Sequence, residues 1–457
     1  MNYLSWQAGI VREYRRPDQF ITQDFSDHMH ADVNESAVAE ALDVVGLNPY
    51  IATESHMDGA KTAELGDYYR SLKHQNYLVT ETNAQTTDWT SSYQFPPYDG
   101  HLRLNVYSNI SSGANMVEYW HWNSIHSGQE TYWKGILSHD MEPNRVYAEF
   151  SRTAHELARL GPELVNLKIH NDVAILYSVD SLNALDFMPF ADRGAQWSFG
   201  KPKVDYTALV NQFHTALYDL NTGVDFVTPE SKNFADYKLL VVPALYIADD
   251  ALLTRIADYV KGGGHVLMTF KSGFANEHSA VRAVRAPGPL REAAGFSYQE
   301  FANLEQPLHL KAGAFDEVKD RTVNYWAEFL MPEHAKPLAF YEDPFFGRWP
   351  AITENSFGKG TLVYEGTWLS DELQRVLLIR SMQDSGISRV GADLPMSVHV
   401  KSGTNGKGRP LHYVLNFSSD PKIVQSPFPG TDLLTGRRYA GGAALSLGAW
   451  DLAIIEE

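Results

Sequence analysis

Cysteine is absent from all 457 residues. That removes disulfides, thiolate nucleophiles and cysteine-based zinc sites together, and it fits a reducing compartment. No run of about 18 apolar residues occurs, and the opening MNYLSWQAGIVREYRR has no apolar core of signal-peptide length, so a cytoplasmic location is expected. Positive charge is scarce: 38 Lys and Arg stand against 56 Asp and Glu, a formal net charge of −18. An acidic balance of that size argues against nucleic acid and against an anionic membrane as partners. Gly262-Gly263-Gly264 follows a helical pattern rather than a strand, so it reads as a helix C-cap and not as a phosphate loop. The 17 histidines are scattered, and His28-x-His30 is too short a pattern for a site, so neither metal nor cofactor is expected.

Apolar residues make up 44% of the chain, ample for a core, and the length suggests two or three domains. Aromatics reach 12%, with ten Trp and 24 Tyr, a richness that suits either carbohydrate clefts or a large core. The most informative stretch is NYLVTETNAQTTDW, Asn76 to Trp89. Its short apolar run, Tyr77-Leu78-Val79, stops at Glu81, the mark of a buried parallel strand. At the carboxyl end of a strand in a (β/α)8 barrel such a residue faces the active site. A carboxylate there, followed by the indole of Trp89, suits sugar chemistry: an acid group for the anomeric carbon and a flat apolar face for a pyranose ring. A surface glutamate at a strand end is the plainer alternative.

Around this stretch the pattern repeats. Residues 4–16 read as a helix, Gln19–Thr22 as a strand ending near Asp24-Phe25, 31–42 as a helix and Asp43–Leu47 as a strand leading to Asn48-Pro49-Tyr50. Helices over 57–73 and 101–112 and a strand over Ala114–Trp122 complete four βα-type units. An eight-strand barrel needs twice that number, so the chain is expected to begin in mid-barrel. After a long helix from Glu142 to Leu160, strands at 172–177, 224–227, 239–246 and 265–270 alternate with helices at 204–220 and 249–261, as in a doubly wound sheet. A strand at 358–366 and a helix at 370–386 follow. From about residue 394 the signal is all β, with Asn405-Gly406 marking a tight turn. The expected architecture is α/β in three parts: the C-terminal half of a (β/α)8 barrel over 1–150, a flavodoxin- or amidotransferase-like α/β domain over 151–392, and a small antiparallel β domain over 393–457.

FITQDF and ALDVVGLNPY, then VTETNAQTTDW, then YWHWNSIHSGQETYWKGIL followed by DMEPNR, resemble glycoside hydrolase family 42, the β-galactosidases, at their fifth to eighth barrel strands. The resemblance continues through the family's trimerisation domain, related in fold to glutamine amidotransferases, and into its small third domain. It implies a retaining β-galactosidase acting on terminal non-reducing β-D-galactosides and assembled as a homotrimer. Its two carboxyl groups would stand about 5 to 5.5 Å apart. Glu81 matches the nucleophile, Trp89 the platform under the sugar, Glu130 a carboxylate that holds sugar hydroxyls, and Tyr50 and Trp120 aromatics of the glycone pocket. Trp133 stands where the family often has His, which weakens the implied preference for galactose. The family's acid/base lies in an Asn-Glu pair on strand four, before this chain's first residues. Asn34-Glu35, inside a helical pattern, and Glu54 are poor substitutes, and a solvated helix face is the expected place for Glu35. The alternative is an inactive remnant serving as a sugar-binding or assembly subunit.

Overall fold

Tyr77 and Val79 are wholly buried, because β3 (Tyr77–Val79) lies between two parallel neighbours. The computed structural model describes residues 2–26, 29–30, 33–191 and 204–457. Helix α1 (Asn2–Tyr14) opens the chain, and β1 (Asp24–Phe25), β2 (Gly46–Leu47), β3 and β4 (Ala114–Val117) pair in that order, all parallel. Helices α2 (Glu35–Glu40), α3 (Gly59–Lys73) and α4 (His101–Ser111) alternate with them. The first two strands are shorter than the sequence suggests. Asp43 joins the two segments just before the ladder: its N–H donates to the Ile21 carbonyl at 2.9 Å, while its carboxylate accepts the Ile21 N–H at 2.8 Å and pairs with Arg15.

Helices α3 and α4 bury nearly every residue, polar ones included. Each is covered on its outer face: α3 packs on the second domain and α4 on the third. Gly100, with φ +99°, caps α4, and a Cβ there would lie 2.5 Å from the Trp450 carbonyl oxygen, so only glycine fits. Helix α5 (Arg145–Leu164) starts three residues later than the sequence reading, because the Asn144 side chain caps it by accepting the Tyr147 N–H.

The second domain holds β5 (Val173–Leu176), α6 (Val179–Phe187), α7 (Tyr206–Asp219), β6 (Val224–Val227), β7 (Leu239–Val242), α8 (Asp250–Gly262) and β8 (His265–Thr269). With the strand Gly360–Glu365 they form a parallel sheet in the order β6, β5, β7, β8, 360–365, the doubly wound order with a switch point between β5 and β7. Val173 and Ile175 face one core, Ala174 and Leu176 the other, so both sheet faces are covered. Gly263, at φ +120°, caps α8, as the triple glycine suggests. The sheet does not stop there. An antiparallel arm continues it through Pro350–Phe357, Lys336–Glu342, Leu308–Leu310, Thr322–Glu328 and Phe301–Asn303. The third domain is a five-stranded sheet with a separate two-stranded ribbon, and its first hairpin turns over 405–409, where the Asn405 carboxamide oxygen accepts the N–H groups of Lys407 and Arg409.

Glu365, 1% exposed at the end of the strand Gly360–Glu365, accepts a 2.8 Å hydrogen bond from the Gln374 amide. Burial, only partly offset by that bond, pushes its carboxyl up to about 8 from 4.5. A raised carboxyl pKa means the fold favours the protonated form. The stability it supports is therefore present below the unfolded value and is lost as pH rises through the folded one. Glu365→Gln is expected to raise the melting temperature at pH 8 and leave it unchanged at pH 4; equal shifts at both values would refute this.

The three domains meet at one buried charge cluster. Asp67 and Arg70 come from α3, His214 from α7, Asp225 from β6 and Lys401 from the strand Val398–Thr404. Asp67 Oδ1 accepts from Lys401 Nζ at 2.6 Å and from Arg70 at 2.7 Å, and Oδ2 contacts His214 Nε2 at 3.1 Å. Arg70 also donates to Asp225 at 2.6 Å, which accepts from Asn171 and Tyr237 in turn. Burial raises the Asp67 carboxyl, but Lys401, Arg70 and His214 together hold it well below the usual carboxylate range.

Candidate active site

Three strands of the first sheet deliver a side chain each just past their carboxyl ends: β2 gives Tyr50, β3 gives Glu81 and β4 gives Trp120. Backbone bonds continue the ladder to this level. Thr80 N–H donates to Leu47 and Trp120 N–H to Thr82, at 2.9 and 2.8 Å. Buried polar side chains fix the turn behind Glu81. The Thr82 hydroxyl donates to the Pro49 carbonyl and accepts from Asn105, while Asn83 bonds both the N–H and the carbonyl of Ile51. A carboxylate on so short a tether, above so fully bonded a turn, is held in place before any ligand arrives.

Tyr50 Oη donates to Glu81 Oε2 at 2.6 Å. Burial, the Glu81 bond, and the charges of Glu81, Glu130 and Asp24 all raise the Tyr50 phenol, so it stays a donor throughout the physiological range. The Tyr50 ring meets Trp133 edge-on at 5.0 Å, and Trp133 packs on Trp89 at 5.7 Å. Trp89 remains 56% exposed, its ring open to solvent at the rim. Glu130 lies on a short 3-10 turn, Gln129–Tyr132, where its Oε2 accepts the Trp120 indole N–H at 3.2 Å. The loop is anchored by Lys134 N–H to Thr86, Gln85 to Gly135 and His121 Nε2 to the Trp133 carbonyl.

The fold thus brings Tyr50, Glu81, Trp89, Trp120 and Glu130 together at one end of the sheet. Trp133, read from the sequence only as a departure, is the ring that joins Tyr50 to Trp89. Its indole N–H is enclosed and has no partner among the described residues. Asp24 was missed: it accepts from the Thr80 hydroxyl at 2.8 Å, and the signal for it was its place at the end of the first strand.

Glu35 needs correction. Its carboxylate is 1% exposed, not solvated, and accepts from Tyr68 at 3.2 Å, because α3 covers the face of α2 that carries it. Asn34 serves as the cap of α2, accepting the Ala37 N–H. Glu54 sits on a 3-10 turn and makes no hydrogen bond to Glu81. His28 lies outside the described residues.

Three family models match the chain end to end: β-galactosidase over residues 1–160, β-galactosidase trimerisation domain over 171–388 and β-galactosidase C-terminal domain over 405–457. The chain belongs to glycoside hydrolase family 42. Among family 42 relatives, it is 30% identical to the β-galactosidase Bga of Halorubrum lacusprofundi, across 92% of this chain and 60% of that protein. It is 26% identical to BgaA of Clostridium cellulovorans, across all of this chain and 67% of that one. The solved structure of the Halorubrum enzyme superposes with a TM-score of 0.85 at 27% identity, covering 100% of this chain and 66% of that one. The β-galactosidase of Bacillus circulans sp. alkalophilus, at 22% identity and a TM-score of 0.88, shares the fold over the same shares of each chain. The chain spans about two thirds of the length of the family 42 proteins it matches. No helix among the described residues is long and apolar enough to cross a membrane.

Proposed function

We propose that the chain carries the nucleophile half of a retaining β-galactosidase site. The observation that bears the most weight is Glu81 at the carboxyl end of β3, held by the Tyr50 hydroxyl beside the Trp133–Trp89 pair and Glu130. Glu81 attacks the anomeric carbon and becomes the ester-linked glycosyl-enzyme, which water then opens. Trp89 takes the apolar face of the ring, while Glu130, aimed by the Trp120 N–H, accepts sugar hydroxyls by charge-assisted bonds. Tyr50 keeps the Glu81 carboxylate in its attacking orientation. The general acid is supplied by another segment, matching the family's strand-four Asn-Glu pair; Glu35 is sealed under Tyr68, and Glu54 lies on a 3-10 turn. The substrates are terminal non-reducing β-D-galactosides, and the match of the middle domain to the family's trimerisation domain supports a homotrimer.

The test is hydrolysis of 4-nitrophenyl β-D-galactoside by the chain alone and by the chain joined to the N-terminal barrel segment of a family relative. Turnover in the joined protein, and faster on the galactoside than on the matching glucoside, is expected. Absence of turnover in both, with galactose still quenching tryptophan fluorescence, would overturn the hydrolytic reading in favour of a sugar-binding subunit.

A further inference from the structure

Lys271 stands two residues beyond β8, at the carboxyl edge of the doubly wound sheet and apart from the switch point between β5 and β7. Its φ is +63°, a left-handed conformation uncommon for a residue with a side chain. The conformation is secured from beneath: the Lys271 N–H donates to Glu328 Oε1 at 2.8 Å. Glu328 is wholly buried and already committed, accepting also from Trp326 at 3.3 Å and from the Tyr364 hydroxyl at 2.8 Å. The ammonium itself points into aromatic faces. Its Nζ lies 3.8 Å from the centre of Trp326, 5.5 Å from Tyr246, 5.6 Å from Phe274 and 5.8 Å from Phe301. No carboxylate among the described residues forms an ion pair with it. Phe274 and Phe301 are shared with the wall of an adjoining cleft of about 430 Å³, which Arg285 also lines with an exposed guanidinium that has no described partner.

A primary amine on a left-handed backbone, held against four aromatic faces and without an ion pair among the described residues, stands beside a cleft that carries one exposed, unpaired guanidinium. We propose that Lys271 captures a small 2-oxo acid as an imine, with Arg285 receiving the carboxylate. The neutral nitrogen attacks the carbonyl carbon; the C–N bond forms as the C=O π pair moves to oxygen, which takes the proton nitrogen gives up. The nitrogen lone pair then expels the hydroxyl, which leaves as water with one proton from solvent, and the iminium nitrogen returns its remaining proton to solvent. Amine and ketone become imine and water, with no change of oxidation state. Burial favours the neutral amine, bringing Lys271 down to about 8 from 10.5, while the charge of Glu328 pulls the other way. The tyrosines around the box, Tyr246, Tyr298 and Tyr364, are all raised by burial and stay neutral there.

The experiment incubates the full chain with pyruvate and cyanoborohydride at pH 8 and maps the reduced adduct by peptide mass spectrometry. Lys271 is expected to be labelled at least about tenfold faster than the exposed Lys61 and Lys336, because a far larger share of it is neutral at that pH. Its labelling rate should rise with a midpoint near pH 8. Arg285→Ala should raise the pyruvate concentration needed for half-maximal labelling while leaving labelling by acetone unchanged. Even labelling across the surface lysines, or a midpoint at the ordinary lysine value, would overturn the proposal. Neither outcome depends on galactoside hydrolysis, so the two readings fail separately.

Discussion

Glu81→Ala is expected to lower kcat for aryl β-galactosides by at least about 10⁴-fold in the protein carrying a complete barrel, with KM little changed. Truncation removes the atom that bonds to the sugar and leaves a hole the size of the lost carboxymethyl group beneath the Tyr50 hydroxyl, which loses its 2.6 Å acceptor. The surrounding turn keeps its own bonds, from Thr82 to Pro49 and from Asn83 to Ile51, so folding is not at stake. Azide, small enough to fill the hole, should restore part of the turnover and give the α-galactosyl azide, whose inverted configuration a merely structural role for Glu81 could not produce. Retention of wild-type kcat would remove Glu81 from the mechanism.

Asp67→Asn is expected to cost about 3 to 5 kcal/mol of folding stability, since it leaves Lys401 and Arg70 buried beside a neutral amide. The Asp67 carboxylate takes both cations at 2.6 to 2.7 Å, and all three side chains are nearly inaccessible. Because its members come from three domains, the loss should also split a single urea transition into two. Adding Lys401→Met to the variant should return part of the lost stability, as removing the orphaned charge relieves its desolvation. The pH dependence has a definite sign. A carboxyl held below its unfolded value of 3.8 contributes stability that is present above that pH and lost as the solution is acidified through the folded value. The wild type should therefore lose stability below about pH 4 more steeply than Asp67→Asn. A difference under about 1 kcal/mol at neutral pH would show that the cluster is no more than a surface pair in its effect.

The parts of the fold that were legible are those where burial on both sides leaves an unbroken apolar run. VAIL and LLVV in the second domain, and YLV before Glu81, could be placed because a parallel strand needs apolar residues on both faces. The antiparallel arm from 301 to 357 was not read, because its strands are half exposed, short or interrupted by proline, and its register is set by pairing partners far along the chain. Helices α3 and α4 could be placed from their pattern, but the pattern does not show that their polar residues lie under a neighbouring domain. Glu35 belongs to the same class, since only the tertiary packing of Tyr68 reveals that its carboxylate is enclosed. In the site, Glu81 could be found from the strand that ends just before it. The role of Trp133 could not, because its contacts with Tyr50 and Trp89 join three loops that are distant in sequence.

The most direct test of the nucleophile assignment needs no general acid. 2-Deoxy-2-fluoro-β-D-galactosyl fluoride carries a leaving group that departs unassisted, and the fluorine at carbon 2 slows release of the ester. Incubation of the 457-residue chain with this reagent, followed by digestion and peptide mass spectrometry, should place one fluorogalactosyl group on the peptide containing Glu81 and none on the Glu81→Gln variant. An adduct on Glu130 or another carboxylate in place of Glu81 would contradict the assignment.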